Sequence, residues 1–295
     1  MTTRVLITGA YGQVGVDCVD TFNGLVPPGG STFLPVVPSG EFDVIGVSHH
    51  DLDVADEAMV NRVVEMIRPD AIVHLAAYTA VDKAETDEAT CRAVNVDGTR
   101  FLAEAGERVG AHVIAISSDY VFDGRSERAY LEDDERNPLG AYGRSKRDGE
   151  DAVSPSVSMI RASWVMGSRG KNVVRAVRDR LAGGGEVRFV TDQVGTPTMA
   201  ADLSRVLVEF VRHRPGGIWH VANAGEVSWF DVIRAEAEIV GAGTVLPIVT
   251  SELSPAPLAT RPAHSALDTS KLRRELGIDM PSWRDGLQRL LEGAE

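Results

Sequence analysis

The 295-residue chain is 43% hydrophobic and 25% charged, with 43 acidic residues against 30 basic and a formal net charge of -13. That composition belongs to an ordinary globular protein able to bury one large core or two modest ones. The acidic balance opposes non-specific nucleic-acid binding, which depends on cationic surface, and no run approaches the roughly 18 apolar residues of a membrane span. Met1-Thr2-Thr3-Arg4 leads straight into an apolar strand pattern without signal-peptide architecture, and the only two cysteines, Cys18 and Cys91, lack metal-type spacing. A cytoplasmic protein with reduced thiols, no metal, no membrane and no nucleic-acid partner is expected.

Residues 4–8 read as a short buried strand, followed by Gly9-x-x-Gly12-x-x-Gly15 and a helical run to about Phe22. Glycines there permit a tight turn and let backbone amides approach a pyrophosphate at the helix N-terminus. Residues 23–41, with Pro27, Pro28, Pro35 and Pro38, are long for a connection that usually takes about 2–6 residues; a mobile surface insertion is expected, with a role in covering the adenine end or in subunit contact as the alternative. The next strand, 42–47, ends in Ser48-His49-His50. No acid stands there to bond the ribose of NAD and repel a 2′-phosphate, so NADPH is permitted, with NADH also accepted. Asp53-Val54 can read the adenine edge, or Asp53 can serve as a helix cap.

A helix is predicted at 57–67 and a buried strand at 71–77, where the small Ala76 and Ala77 let a cofactor lie against backbone. His74 reads as a packed histidine. The helix at 88–109 carries Asn95, expected to brace the sheet by a hydrogen bond. A strand at 113–117 delivers Ser117 and Ser118 at its carboxyl end, and a helix at 141–153 carries Tyr142 and Lys146 on one face. Lysine is scarce: only Lys83, Lys146, Lys171 and Lys271 occur, so Lys146 is not generic surface charge. A Ser, Tyr and Lys together can reduce a carbonyl. The phenol donates a proton to the oxygen, the serine helps hold it, and the ammonium brings the phenol's pKa, normally about 10, closer to the working range.

A strand at 158–162 closes this pattern. Past Trp164 come helices at 173–181 and 201–211, a strand at 217–221 and a last helix at 282–291. Alternating strands and helices specify an α/β fold, a doubly wound parallel sheet of the Rossmann kind. Residues 1–165 form its dinucleotide-binding domain. Residues 166–295 form mainly a smaller C-terminal substrate-binding lobe, with 217–222 available to return to the main sheet.

With these motifs in order, the chain resembles the extended short-chain dehydrogenase/reductases, and most of all the dTDP-4-dehydrorhamnose reductase family. The resemblance covers nearly the whole length. It is carried by Thr8 to Gly15, Ala76-Ala77-Tyr78-Thr79-Ala80-Val81-Asp82-Lys83, Ser118-Asp119-Tyr120-Val121-Phe122 and Pro138-Leu139-Gly140-Ala141-Tyr142-Gly143-Arg144-Ser145-Lys146. Asp192-Gln193-Val194-Gly195-Thr196-Pro197-Thr198 and Arg261-Pro262-Ala263-His264-Ser265 extend it toward the C-terminus.

The resemblance implies that Ser118, where the family often has Thr, is the catalytic hydroxyl, with Tyr142 as proton donor and Lys146 as its partner. It implies cofactor contacts at Gly12, Gln13, Val14, Asp53, Val54, Ala77 and Tyr78. Thr79, Val81, Ser118, Asp119, Tyr120 and Trp164 would face the sugar, and Asn172 and Arg261 the nucleotide diphosphate. The implied reaction is NAD(P)H-dependent reduction of the C4 ketone of dTDP-4-dehydro-6-deoxy-L-mannose to dTDP-L-rhamnose, with the dTDP-sugar as partner; a homodimer is a separate expectation that the resemblance does not supply. Two alternatives stand beside it: a 4-ketoreductase for another dTDP-deoxysugar, and a non-catalytic regulatory subunit of an S-adenosylmethionine synthetase. A 4,6-dehydratase would place an Asp-Glu pair after the strand-end hydroxyl, whereas here Asp119 is followed by Tyr120.

Overall fold

The computed structural model describes residues 2–293. The first half runs β1 (Thr3–Thr8), α1 (Gln13–Phe22), β2 (Phe42–Val47), α2 (Glu57–Ile67), β3 (Ala71–His74), α3 (Val81–Ala84), α4 (Glu88–Arg92), α5 (Gly98–Val109), β4 (His112–Ser118), α6 (Ala141–Asp151) and β5 (Ser158–Ala162). The remainder contributes α7 (Val173–Ala182), α8 (Ala200–His213), α9 (Trp229–Val240), α10 (Ser270–Leu276) and α11 (Trp283–Glu292), with short strands between them.

Six parallel strands make the main sheet, in the order Gly217–His220, β5, β4, β3, β1, β2. Its central strands are continuous apolar runs because both faces are covered. On one face Val5 and Ile7 pack with Phe22 of α1 and Leu203, Leu207 and Phe210 of α8. On the other, Leu6 and Ile72 pack with Val60 and Val64 of α2 and Leu102 of α5. Thus α8 and the edge strand, both from the second half of the chain, complete the sheet's own layers. A third core, including Leu181, Val187, Ile233 and Leu287, holds the smaller lobe. The chain leaves β1 for β2 and returns to β3 on β1's other side, so a crevice opens at the carboxyl ends of β1 and β3.

Two predicted elements differ from expectation. The helix expected at 88–109 is α4 and α5 joined by a π-helical turn, Ala93–Asp97. That turn aims Asn95 inward: its Nδ2 donates to the Tyr78 carbonyl and to Ser145 Oγ, while the Tyr78 amide donates to its Oδ1. Asn95 therefore ties the loop after β3 to α6 rather than bracing the sheet itself. The strand expected at 71–77 stops at His74, beyond which the Ala76 amide turns to Thr8 Oγ1.

Residues 23–41 are no mobile insertion. Val37 enters the core beside Phe22. Arg205 of α8 donates to the Leu34 and Pro35 carbonyls, Arg212 pairs with Glu41 at 2.7 Å, and Ser31 donates to Asp202 at 3.0 Å. Arg289 of α11 donates to the Gly29 carbonyl and pairs at 2.8 Å with Asp202, whose side chain is fully buried. Gly29, at φ +74°, lies against α11 so closely that a Cβ would stand 2.9 Å from the Leu290 Cα. The prolines stiffen a segment that α8 and α11 then fasten. Among the described residues no helix is long and apolar enough to cross a membrane.

Candidate active site

A cavity of about 950 Å³ lies along the carboxyl ends of the strands. Its floor at one end is the turn from Gly9 through Gly12, Gln13 and Val14 to Gly15. Gly9 has φ +66°, and a Cβ there would stand 2.6 Å from the Ala76 amide, so this turn can abut β3's loop only as glycine. Gly12 is the N-cap of α1 and offers no side-chain cap, and no acid stands in the helix's first turn. Amides at this helix start face the cavity with nothing to repel a pyrophosphate, and the site fits a dinucleotide.

Asp53, Val54, Ala76, Ala77 and Tyr78 line the same cavity. Asp53 also accepts from the Ala55 amide at 3.0 Å, a local turn bond, whereas the cap of α2 is Asp56. At the β2 tip Ser48 and His49 line the cavity and His50 does not. The Ser48 amide and hydroxyl both donate to Asp51, at 2.9 and 2.7 Å. His74 is buried against Thr8 Oγ1 at 2.8 Å, and burial pulls its imidazole down to about 3.

At the other end Ser118, Tyr142 and Lys146 converge with Thr79, Val81, Asp119 and Tyr120. Ser118 Oγ donates to Asp119 Oδ1 at 2.9 Å and accepts from the Tyr120 amide at 3.2 Å. Asp119 Oδ2 accepts from Ser265 at 2.6 Å. Burial pushes Asp119 up to about 6, with those two hydroxyls holding it back. The Tyr142 ring meets Tyr120 edge-on at 5.8 Å. Burial pushes its phenol above the ordinary value, with the Ser118 hydroxyl opposing. Lys146 Nζ donates to the Ile116 carbonyl at 3.0 Å and stands 5.9 Å from the Tyr142 ring centre; burial pulls its ammonium down to about 8. In this geometry burial is the largest influence on the phenol and keeps Tyr142 protonated.

The family model for the RmlD substrate binding domain matches residues 3–295. The chain belongs to the RmlD substrate binding domain family. A dTDP-4-dehydrorhamnose reductase of Sinorhizobium fredii is 37% identical, covering 98% of this chain and 96% of that protein. A probable dTDP-4,6-dihydroxy-2-methyloxan-3-one 4-ketoreductase of Streptomyces antibioticus is 36% identical over 97% of this chain and 93% of its own length. The crystal structure of the Bacillus anthracis dTDP-4-dehydrorhamnose reductase in complex with NADP superposes with a TM-score of 0.89 at 33% identity, covering 99% of each chain.

Within this RmlD-family site Asn172 and Trp164 border the cavity and one expected side chain does not. Arg261 does not line the cavity. Its Nη2 donates to Asp82 at 2.8 Å and its Nη1 to the Ala259 carbonyl, while the Ala259 amide donates to the other Asp82 oxygen. The guanidinium thereby latches segment 259–261 onto α3. Asn172 does line the cavity, but both ends of its amide are spent. Oδ1 caps α7 through the Arg175 amide, and Nδ2 donates to Gln13 Oε1 and the Gly167 carbonyl, at 2.9 and 2.8 Å. Trp164 lines the cavity at φ +47° and stacks on Trp229, centroids 4.1 Å apart. Trp229 forms part of the same wall and escaped the sequence reading; its only signal was an aromatic residue directly after the Ser228 cap.

Proposed function

We propose that the chain is an NADPH-dependent oxidoreductase that reduces the C4 ketone of dTDP-4-dehydro-6-deoxy-L-mannose to dTDP-L-rhamnose, with NADH also accepted. The observation that carries this reading is one continuous cavity, from an amide-lined dinucleotide turn to the Ser118, Tyr142 and Lys146 side chains. When bound, the cofactor supplies the hydride that converts the ketone carbon to an alcohol carbon.

The chain's own residues do the rest. Amides of the turn at Gly12, Gln13 and Val14 hold the pyrophosphate, and Asp53 and Val54 meet the adenine end. Tyr142, kept protonated by burial, gives its phenolic proton to the ketone oxygen as charge develops there. Ser118 positions that oxygen beside the phenol. Lys146, still largely an ammonium at neutral pH with its pKa near 8, favours the phenolate left after transfer. Thr79, Val81, Asp119 and Tyr120 border the sugar, and the Trp164–Trp229 stack walls the nucleotide side.

The test incubates the protein with NADPH and dTDP-4-dehydro-6-deoxy-L-mannose and identifies the sugar by NMR. Formation of dTDP-L-rhamnose is expected, and absence of NADPH oxidation would refute the reading. A second reading, reduction of another dTDP-deoxysugar at C4, draws support from the similarity to the Streptomyces antibioticus protein. It predicts turnover of that sugar with little or none of the first.

A further inference from the structure

Resting on that reading, we propose that Lys171 is the cation that receives the diphosphate of the substrate. A nucleoside diphosphate brings at least two negative charges to a chain whose net charge is already -13, and a site for it calls for a locally placed cation. Few candidates border the cavity. Among the described residues its lining contains only two lysines, Lys146 and Lys171, and no arginine. Lys146 is buried at the reacting end and donates to the Ile116 carbonyl. His49 stands at the opposite end, 3.8 Å from Asp53.

Three neighbouring cations outside the lining are committed elsewhere, and Arg175 in the first turn of α7 does not border the cavity. Arg261 is held by Asp82, Lys83 pairs with Asp87 at 3.4 Å, and Arg169 pairs with Asp17 and Asp20, both at 2.7 Å. Of the two lining lysines and these three committed cations, Lys171 alone has neither a hydrogen bond nor an ion pair within the described residues, and its side chain is exposed to the cavity.

Its backbone is nevertheless well placed. Gly170 packs on Gln13, a Cβ there standing 3.3 Å from the Gln13 Cβ, and Asn172 binds Gln13 by hydrogen bond. Lys171 is thus carried on a segment anchored at both sides while its stem stays free. A compact ammonium on a flexible stem, with three donors, suits phosphate oxygens without demanding a fixed planar approach. The cofactor's own pyrophosphate is provided for by the uncapped amides of α1, which leaves this cation for the second diphosphate.

The experiment measures, by calorimetric titration at one fixed salt concentration, the affinities of wild type, Lys171→Met and Lys171→Arg for dTDP, thymidine and NADPH separately. Losing a charged hydrogen-bonding partner should weaken dTDP roughly ten- to a hundredfold in Lys171→Met. Thymidine and NADPH affinities should stay at the wild-type value, and Lys171→Arg should retain most of the dTDP affinity. The variant makes no contact that folding needs, so its thermal transition should match wild type. Unchanged dTDP affinity in Lys171→Met overturns the proposal. Equal weakening of NADPH also overturns it, by assigning the lysine to the cofactor. Wild type that binds NADPH but no dTDP overturns the dTDP-sugar reading itself, and the proposal with it.

Discussion

Glu236, on α9, is fully buried, and neither carboxyl oxygen has a hydrogen-bond partner among the described residues. Burial pushes its pKa from 4.5 up to about 8, against a smaller opposing pull from Arg178. Below about pH 4.5 the folded and unfolded chains both carry the proton, and the residue costs nothing electrostatically. Between there and about pH 8 the folded chain keeps a proton that the unfolded chain has lost, so stability falls as pH rises; above that the full penalty applies. Converting the interval between 4.5 and about 8 gives a penalty on the order of 5 kcal/mol. Glu236→Gln removes the titration while keeping the shape. At about pH 9 its melting temperature should exceed that of wild type by roughly 10 °C, taking about 2 °C per kcal/mol for a chain of this size. At about pH 5 the two should nearly coincide. Calorimetric scans of both proteins across this range give the double difference, which isolates this one group from the other titrating groups. A melting-temperature difference that stays constant with pH would refute the reasoning.

Tyr142→Phe should cut turnover about 10²–10⁴-fold while NADPH affinity, measured by fluorescence titration, stays near wild type; retention of most activity would remove Tyr142 from the proton-donor role. Arg289→Ala strands the buried Asp202 carboxylate and should cost about 3–5 kcal/mol, read as a lowered denaturant midpoint with faster protease cleavage within residues 24–41. An unmoved midpoint would show that the pair does not fasten that segment. Arg261→Ala breaks a partly exposed pair and should cost only about 1 kcal/mol or less, leaving dTDP affinity intact; a selective loss of dTDP binding would return Arg261 to the diphosphate.

The parts of this molecule legible in its sequence are those whose partners lie close along the chain. Gly9, Gly12 and Gly15 announce the turn because strand, turn and helix follow one another within twenty residues of the start. Tyr142 and Lys146 announce one helix face because four residues make about one turn. The parallel sheet was readable because its central strands are apolar runs, as burial on both faces requires, while the edge strand at 217–220 was only available to join it. What could not be read depends on distant partners. Arg261 meets Asp82 across 179 residues, and Arg289 meets Asp202 across 87. A free-looking guanidinium and a proline-rich insertion both change meaning once those partners arrive. Trp229 was hidden for the same reason: stacking on Trp164 is a tertiary event. Asn95 was visible as polar on an apolar helix, but the π-turn that redirects it leaves no periodic trace.

The return of residues 217–220 to the main sheet bears on how the protein is made. During synthesis β5 emerges long before Gly217–His220, the strand that covers its outer edge, and α8, which seals Val5, Ile7 and Phe22, is also late. A nascent chain that has reached only residue 165 therefore carries an unpaired strand edge and one bare apolar face, both invitations to association. Residues 1–165 should therefore not finish folding on their own. Their completion is delayed until most of the polypeptide has left the ribosome, and a truncated product ending near Trp164 should collect in inclusion bodies rather than accumulate as a free cofactor-binding domain.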